Sequence, residues 1–158
     1  MLASGSYDKT VILWDVQSGI EKKRLEHDKP VYAISFSPDG KTLASGSEDH
    51  TIILWAAQTG ERQQTLRGHS GAINSLAFSP DGKTLASGSD DKTVMLWNIL
   101  LGTPQQTLAQ HNAVVNAVIF SPDGKTLVSG SSDKTAIIWS VQMRASLSPL
   151  LYRSSDFL

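Results

Sequence analysis

Histidine, serine and aspartate recur in this chain in a fixed order, and those three residue types together can do chemistry. His27, His69 and His111 each precede an aspartate, Asp49, Asp91 and Asp133, by 22 residues, with Ser45, Ser87 and Ser129 between them. Brought within bonding distance, such a set describes a nucleophilic triad, in which the aspartate orients an imidazole that deprotonates the hydroxyl. Repetition argues against that chemistry. A catalytic site needs one strained, exposed nucleophile, and no Gly-x-Ser-x-Gly elbow occurs anywhere in the sequence. A zinc site is weaker still, because histidines about 42 residues apart belong to separate repeats. The turn around Asp90 and Asp91 lacks the Asp-x-Asp-x-Asp-Gly spacing of a calcium loop, and the Ser-Gly-Ser stretches at 45–47 and 87–89 lack the Lys-Ser/Thr ending of a phosphate cradle. No catalytic activity, cofactor or metal is expected.

The elements that must position these residues are copies of one stretch, Ser79 to Trp97. Its first half returns at Ser37–Ser47 and Ser121–Ser131, its second half at Leu2–Trp14, Leu43–Trp55 and Leu127–Trp139, and the four tryptophans fall at 14, 55, 97 and 139. A period in that range marks an array of equivalent units. Within one unit, Ser79-Pro80-Asp81-Gly82 carries the residues of a type I turn. It joins a strand over Ala72–Phe78 to one over Thr84–Ser89. Asp90-Asp91-Lys92 then turns into the apolar run Thr93–Trp97, and a fourth, more polar strand follows Gly102 at Gln105–Leu108. Four antiparallel strands in about 42 residues predict an all-β fold of propeller blades.

The first unit begins at Leu2 with its second strand, so about four blades are expected, the first lacking its inner strand. The repeats run 2–42, 43–84, 85–126 and 127–142. Beyond them the pattern fails: Arg144 stands where Gly19, Gly60 and Gly102 stood, Pro149 falls on the expected outer strand, and 143–158 is read as an irregular tail.

Fourteen basic and fifteen acidic residues leave a net charge of -1, too little field to draw in nucleic acid or an anionic membrane. No apolar run approaches the ~18 residues of a membrane helix. The absence of cysteine fits a reducing compartment, and Met1-Leu2-Ala3 shows no secretory signal, so a cytoplasmic location is expected.

The wording Ser-Pro-Asp-Gly-Lys-Thr-Leu-Ala-Ser-Gly-Ser-x-Asp-Lys-Thr-x-x-Leu-Trp resembles the WD-repeat β-propeller family, and its near-identical copies look like those of bacterial members. The resemblance covers residues 2–142. It departs in that the Trp-Asp pair survives only at Trp14-Asp15 and the Gly-His pair only at Gly68-His69. It implies a structural network in each blade: His27, Ser45, Asp49 and Trp55; His69, Ser87, Asp91 and Trp97; His111, Ser129, Asp133 and Trp139. The chemistry is consistent, since a buried imidazole needs partners at both nitrogens, which an aspartate and a serine can supply, with the indole N–H as a further donor. The first repeat has Ser4, Asp8 and Trp14 but no histidine, and is expected to be the softest.

The resemblance also implies a non-catalytic scaffold whose partners, proteins or peptides, touch the rim where the first strand starts. The units differ there: Tyr7, Glu48, Asp90 and Ser132 precede the turn aspartates, and Tyr32, Asn74 and Asn116 open the inner strands. Two tyrosines offer contact area at little entropic cost. The alternative is a small-ligand or glycan binder with repeated pockets between blades. An open arc also leaves an apolar face at each end. Either two chains close one eight-bladed ring as a homodimer, or the chain is a fragment of a longer propeller.

Overall fold

The structure is a computed structural model that describes residues 1–141 and 149–152. The described chain forms four antiparallel sheets. The first holds β1 (Leu2–Gly5), β2 (Thr10–Trp14) and β3 (Glu21–Glu26). The second holds β4 (Val31–Phe36), β5 (Thr42–Ser47), β6 (Thr51–Ala56) and β7 (Arg62–Arg67). The third holds β8 (Ile73–Phe78), β9 (Thr84–Ser89), β10 (Val94–Asn98) and β11 (Thr103–Leu108), and the fourth β12 (Val115–Phe120), β13 (Thr126–Ser131), β14 (Ala136–Ser140) and β15 (Pro149–Tyr152). Strand order within every sheet follows the chain, as a propeller blade requires.

Turn chemistry fixes these meanders. In the turn from β4 to β5, Gly40 has φ of 69° and its N–H bonds the carbonyl of Ser37 at 2.8 Å. The Ser37 hydroxyl donates to Asp39 at 2.6 Å and accepts the Thr42 N–H at 2.9 Å. Ser79 and Ser121 repeat the arrangement with Asp81 and Asp123. In the next turn Asp49 accepts from both the N–H and the hydroxyl of Thr51, as do Asp91 from Thr93 and Asp133 from Thr135. The residue between each pair, His50, Lys92 or Lys134, takes a left-handed φ of 67° to 70°.

The core lies between sheets. Val11, Leu13 and Leu25 of the first sheet pack on Val31, Leu43 and Trp55 of the second, and the same relation joins the second sheet to Ile73, Leu76 and Trp97 and the third to Val115, Val118 and Trp139. Close approach is made at glycine. A Cβ on Gly46 would overlap Ile73, and one on Gly88 would lie 2.7 Å from Val115. These small residues are what let an inner strand seat its aliphatic side chains on the preceding sheet.

The fourth sheet corrects one expectation. Pro149–Tyr152, inside the stretch read as an irregular tail, pairs with β14 in the register Trp139↔Pro149 to Ala136↔Tyr152. A proline is accommodated there because Pro149 is the first residue of β15 and β15 is the outer edge of its sheet, where a missing N–H breaks no further ladder. The rest of that stretch, 143–148 and 153–158, lies outside the described residues.

Candidate interaction surface

Each buried cluster is assembled by three elements and one loop. The loop before the inner strand carries the histidine, the second strand the serine, the following turn the aspartate, and the third strand the tryptophan. In the third sheet, His69 Nδ1 is 2.7 Å from Asp91 Oδ2 and Nε2 is 2.7 Å from Ser87 Oγ, which Trp97 Nε1 also meets at 2.8 Å. A carboxylate only accepts, so Nδ1 carries the proton and Nε2 accepts from the serine hydroxyl, a tautomer assigned from partner chemistry. In the fourth sheet His111 reaches Asp133 at 3.0 Å and Ser129 at 2.8 Å, and Trp139 donates to Ser129 at 2.8 Å. The backbone N–H of Ser70 and Asn112 adds a second donor to each aspartate Oδ2.

Burial and these bonds pull in opposite directions. Burial pushes the His69 imidazole below its usual pKa, and the Asp91 carboxylate opposes it. Burial raises Asp91, but bonds from Thr93, His69 and the Ser70 N–H outweigh it and hold the carboxyl below the ordinary range. Asp133 is depressed in the same way.

The second sheet departs from the expected set. His27 Nε2 lies 2.7 Å from Ser45 and Trp55 donates to that serine at 2.6 Å, but His27 Nδ1 is buried without a hydrogen-bond partner, and no bond joins it to Asp49. The residue after the histidine differs as well: it is Asp28 here, where the other units have Ser70 and Asn112, whose backbone N–H donates to the turn aspartate. In the first sheet Trp14 donates to an exposed Ser4 at 2.9 Å, and no histidine stands by.

This geometry does not make a nucleophile. Ser45, Ser87 and Ser129 are 0% exposed, so no substrate can reach their hydroxyls. Among the described residues no three His, Cys, Asp or Glu side chains gather closely enough to hold a metal ion.

The rim residues are brought together by a feature that the sequence concealed. Each inner strand starts with a β-bulge: pairing passes from Val31↔Ser47 to Ala33↔Gly46, from Ile73↔Ser89 to Ser75↔Gly88, and from Val115↔Ser131 to Ala117↔Gly130. The residues left unpaired are Tyr32, Asn74 and Asn116, and the bulge re-aims them at the turn of their own sheet. Tyr32 donates to Glu48 at 3.1 Å, Asn74 to Asp90 at 2.7 Å, and Asn116 to Ser132 at 2.8 Å. Tyr7 crosses from the first sheet to stack at a tilt on Tyr32, ring centroids 5.2 Å apart, and Asn74 also donates to the carbonyl of Val115 on the next sheet. Gly5, Ser6, Tyr7, Val31, Tyr32 and Asn74 line an open depression of about 660 Å³ at this rim. No single residue type predicts a bulge; its signal was the recurrence of a polar or aromatic residue at the second position of each inner strand.

Stacked four-stranded blades with buried polar clusters and a varied rim define a propeller-type repeat array. The model of the WD domain, G-beta repeat family matches residues 1–15, 20–56, 60–98 and 102–140, more than half of the sequence, and the chain belongs to that family. Each later match starts on or just before the outer strand of one sheet and ends with the third strand of the next, so the sequence unit straddles two blades. The chain is 57% identical over 42 residues to F-box-like/WD repeat-containing protein TBL1Y of Homo sapiens, covering 26% of this chain and 8% of that protein. It is 48% identical over 44 residues to Coronin-7 of Rattus norvegicus, covering 27% of this chain and 5% of that protein. The match spans less than a tenth of the length of these relatives. Proteins of the family generally act as protein-interaction scaffolds.

Proposed function

We propose that this chain is a non-catalytic platform that binds a protein or peptide partner through the bulged rim, with Tyr7, Tyr32, Glu48, Asn74, Asp90, Asn116 and Ser132 as its contacts. One observation carries the reading: Tyr7 and Tyr32, from different sheets, share one side of an open depression while polar pairs continue along the same rim. Aromatic area beside satisfied polar groups is the composition of a protein-binding surface. The close likeness of the repeats to one another supports a place among the bacterial type of the family, and the cysteine-free sequence supports a cytoplasmic setting.

The exposed ends of the arc support a second part of the proposal, that two chains associate about a twofold axis as one eight-bladed ring. The test of the rim is affinity capture with wild type beside a Tyr7→Ala, Tyr32→Ala double variant. Loss of a specific partner with an unchanged unfolding midpoint supports it, and capture of the same partners by both overturns it.

A second reading has its own observation. Ser37, Pro38, Asp39, Phe78, Pro80 and Asp81 help line a cleft of about 470 Å³ between the two Ser-Pro-Asp-Gly turns of neighbouring sheets. A small ligand or glycan held there, one per joint, would show as glycan-array binding that survives the tyrosine substitutions.

A further inference from the structure

The Ser-Pro-Asp-Gly turns lie at the other end of the strands from the bulged rim, and at the joint of the second and third sheets they enclose the cleft of about 470 Å³. A Cβ built on Gly82 would lie 3.5 Å from Pro38 Cδ, so one turn rests on the next. The apolar walls are Pro38 from the second sheet and Phe78, Pro80 and Ile99 from the third. Ile99 is held there by its N–H, which bonds the carbonyl of Lys83 at 3.1 Å.

Two carboxylates share that lining. Asp39 accepts the Ser37 hydroxyl at 2.6 Å and the Lys41 N–H at 3.0 Å, and Asp81 accepts the Ser79 hydroxyl at 2.6 Å and the Lys83 N–H at 3.0 Å. All four bonds end on Oδ1, which fixes each carboxylate and leaves its Oδ2 without a hydrogen bond among the described residues. The same bonds hold both carboxyls below the ordinary range, so both are charged at neutral pH. Lys41 and Lys83 follow closely in sequence, yet neither lines the cleft.

An apolar projection stands beside it. The loop after β10 presents Leu100, 90% exposed, and Leu101, 64% exposed, where the equivalent loops carry Gln17-Ser18 and Gln58-Thr59. That loop is closed by other groups, the Leu101 N–H bonding the Asn98 side chain and the Gly102 N–H its carbonyl. Two adjacent leucine side chains left in water next to an apolar cleft mark a contact surface.

We propose that this cleft takes the arginine side chain of a peptide partner, and that an apolar residue next to that arginine packs on Leu100 and Leu101. This assignment rests on the reading of the cleft as a ligand site and names the ligand. Charge complementarity selects the occupant, because two negative charges with no cation in the lining call for a positive one, and the apolar walls call for an apolar stem. Arginine meets both demands. Its guanidinium is planar, weakly hydrated and able to donate to two carboxylates, and its methylene stem can lie along the proline and phenylalanine rings. The compact, strongly hydrated ammonium of lysine suits such walls less well.

The test is an amide-resolved NMR titration of the isotope-labelled full chain with the peptide N-acetyl-Leu-Arg-Leu amide. The expected result is saturable movement of the Gly40, Gly82, Leu100 and Leu101 amides, with those of Asn74 and Asn116 at the rim unmoved. Replacing the arginine of the peptide by its uncharged isostere citrulline should weaken binding at least about tenfold, and so should Asp39→Asn with Asp81→Asn in the chain. The citrulline comparison uses the wild-type chain and stands whether or not that double variant folds. Leu100→Gln with Leu101→Thr copies the loop of the second sheet, should keep the unfolding midpoint, and should weaken binding at least about threefold. Cleft amides that move with maltotriose but not with the peptide overturn the arginine and leave the cleft a ligand site. Movement at the rim alone, or none with either probe up to about 10 mM, overturns both. Equal binding of the citrulline peptide overturns the charge assignment, and equal binding by the leucine variant overturns the apolar contact.

Discussion

His27 and Asp49 stand 22 residues apart, as do His69 and Asp91, yet only the second pair is joined: His69 Nδ1 meets Asp91 at 2.7 Å, whereas His27 Nδ1 meets nothing. The consequence is an uneven stack. Replacing His69 by alanine strips a half-buried carboxylate and a buried serine of a partner each, and should cost about 2–3 kcal/mol. His27→Ala removes a single bonded partner and should cost about 1–2 kcal/mol. Urea titration of both variants checks the order.

The same relationship predicts a stabilising substitution. Asp28→Ser offers the residue type found after His69, whose N–H donates to the turn aspartate Asp91. The expected gain is about 0.5–1 kcal/mol, as a rise in the urea midpoint. It should vanish when Asp49→Ala is added, and NMR should find the His27 proton moved to Nδ1.

Acid should unfold the protein in two stages. Burial lowers the pKa of His27 and of His69. The unfolded chain therefore takes up protons first, near the ordinary imidazole value of about 6.5, and stability falls as pH drops below that point. Asp91 and Asp133 are depressed, so what they contribute is complete above the ordinary carboxyl value of about 3.9 and is lost as pH falls through their lower folded values. Urea midpoints from pH 8 to pH 3 should be level above about pH 7, decline gently below about 6.5 and steeply below about 4, with a smaller final decline in Asp91→Asn.

Two glycines of one register should answer differently to alanine. At Gly46 the new methyl collides with Ile73, and overpacking of this kind costs about 1–3 kcal/mol. At Gly130 the space is open, and Gly130→Ala should change stability by less than about 0.5 kcal/mol. Thermal unfolding of the two variants makes the comparison.

Tyr32 reports on the rim directly. Partial burial and its hydrogen bond to Glu48 push the phenol up to about 12. Alkaline titration at the tyrosinate absorbance band should show the late ionisation of Tyr32, and Glu48→Gln should bring it down. Tyr32→Phe should abolish the late step while the ring stays against Tyr7.

Much of this molecule is written locally. The Ser-Pro-Asp-Gly turn, the aspartate that caps the next turn and the alternating apolar residues act within six residues or fewer, so strand boundaries and the meander order follow from the sequence alone. The 42-residue spacing of Trp55, Trp97 and Trp139 sets one serine partner per complete blade in the same way. What the tertiary structure alone decided depends on a neighbouring sheet or loop. The bulges that free Tyr32, Asn74 and Asn116 arise from a mismatch between paired strands, and the unbonded Nδ1 of His27 arises where two separate loops fail to meet although their 22-residue spacing is the same as in the other sheets. The pairing of Pro149–Tyr152 needs only a free outer edge, which no residue type announces. Gly5, Gly46, Gly88 and Gly130 occupy equivalent positions in their strands, and only the presence or absence of the next sheet's side chains makes three of them closed joints and leaves the fourth open.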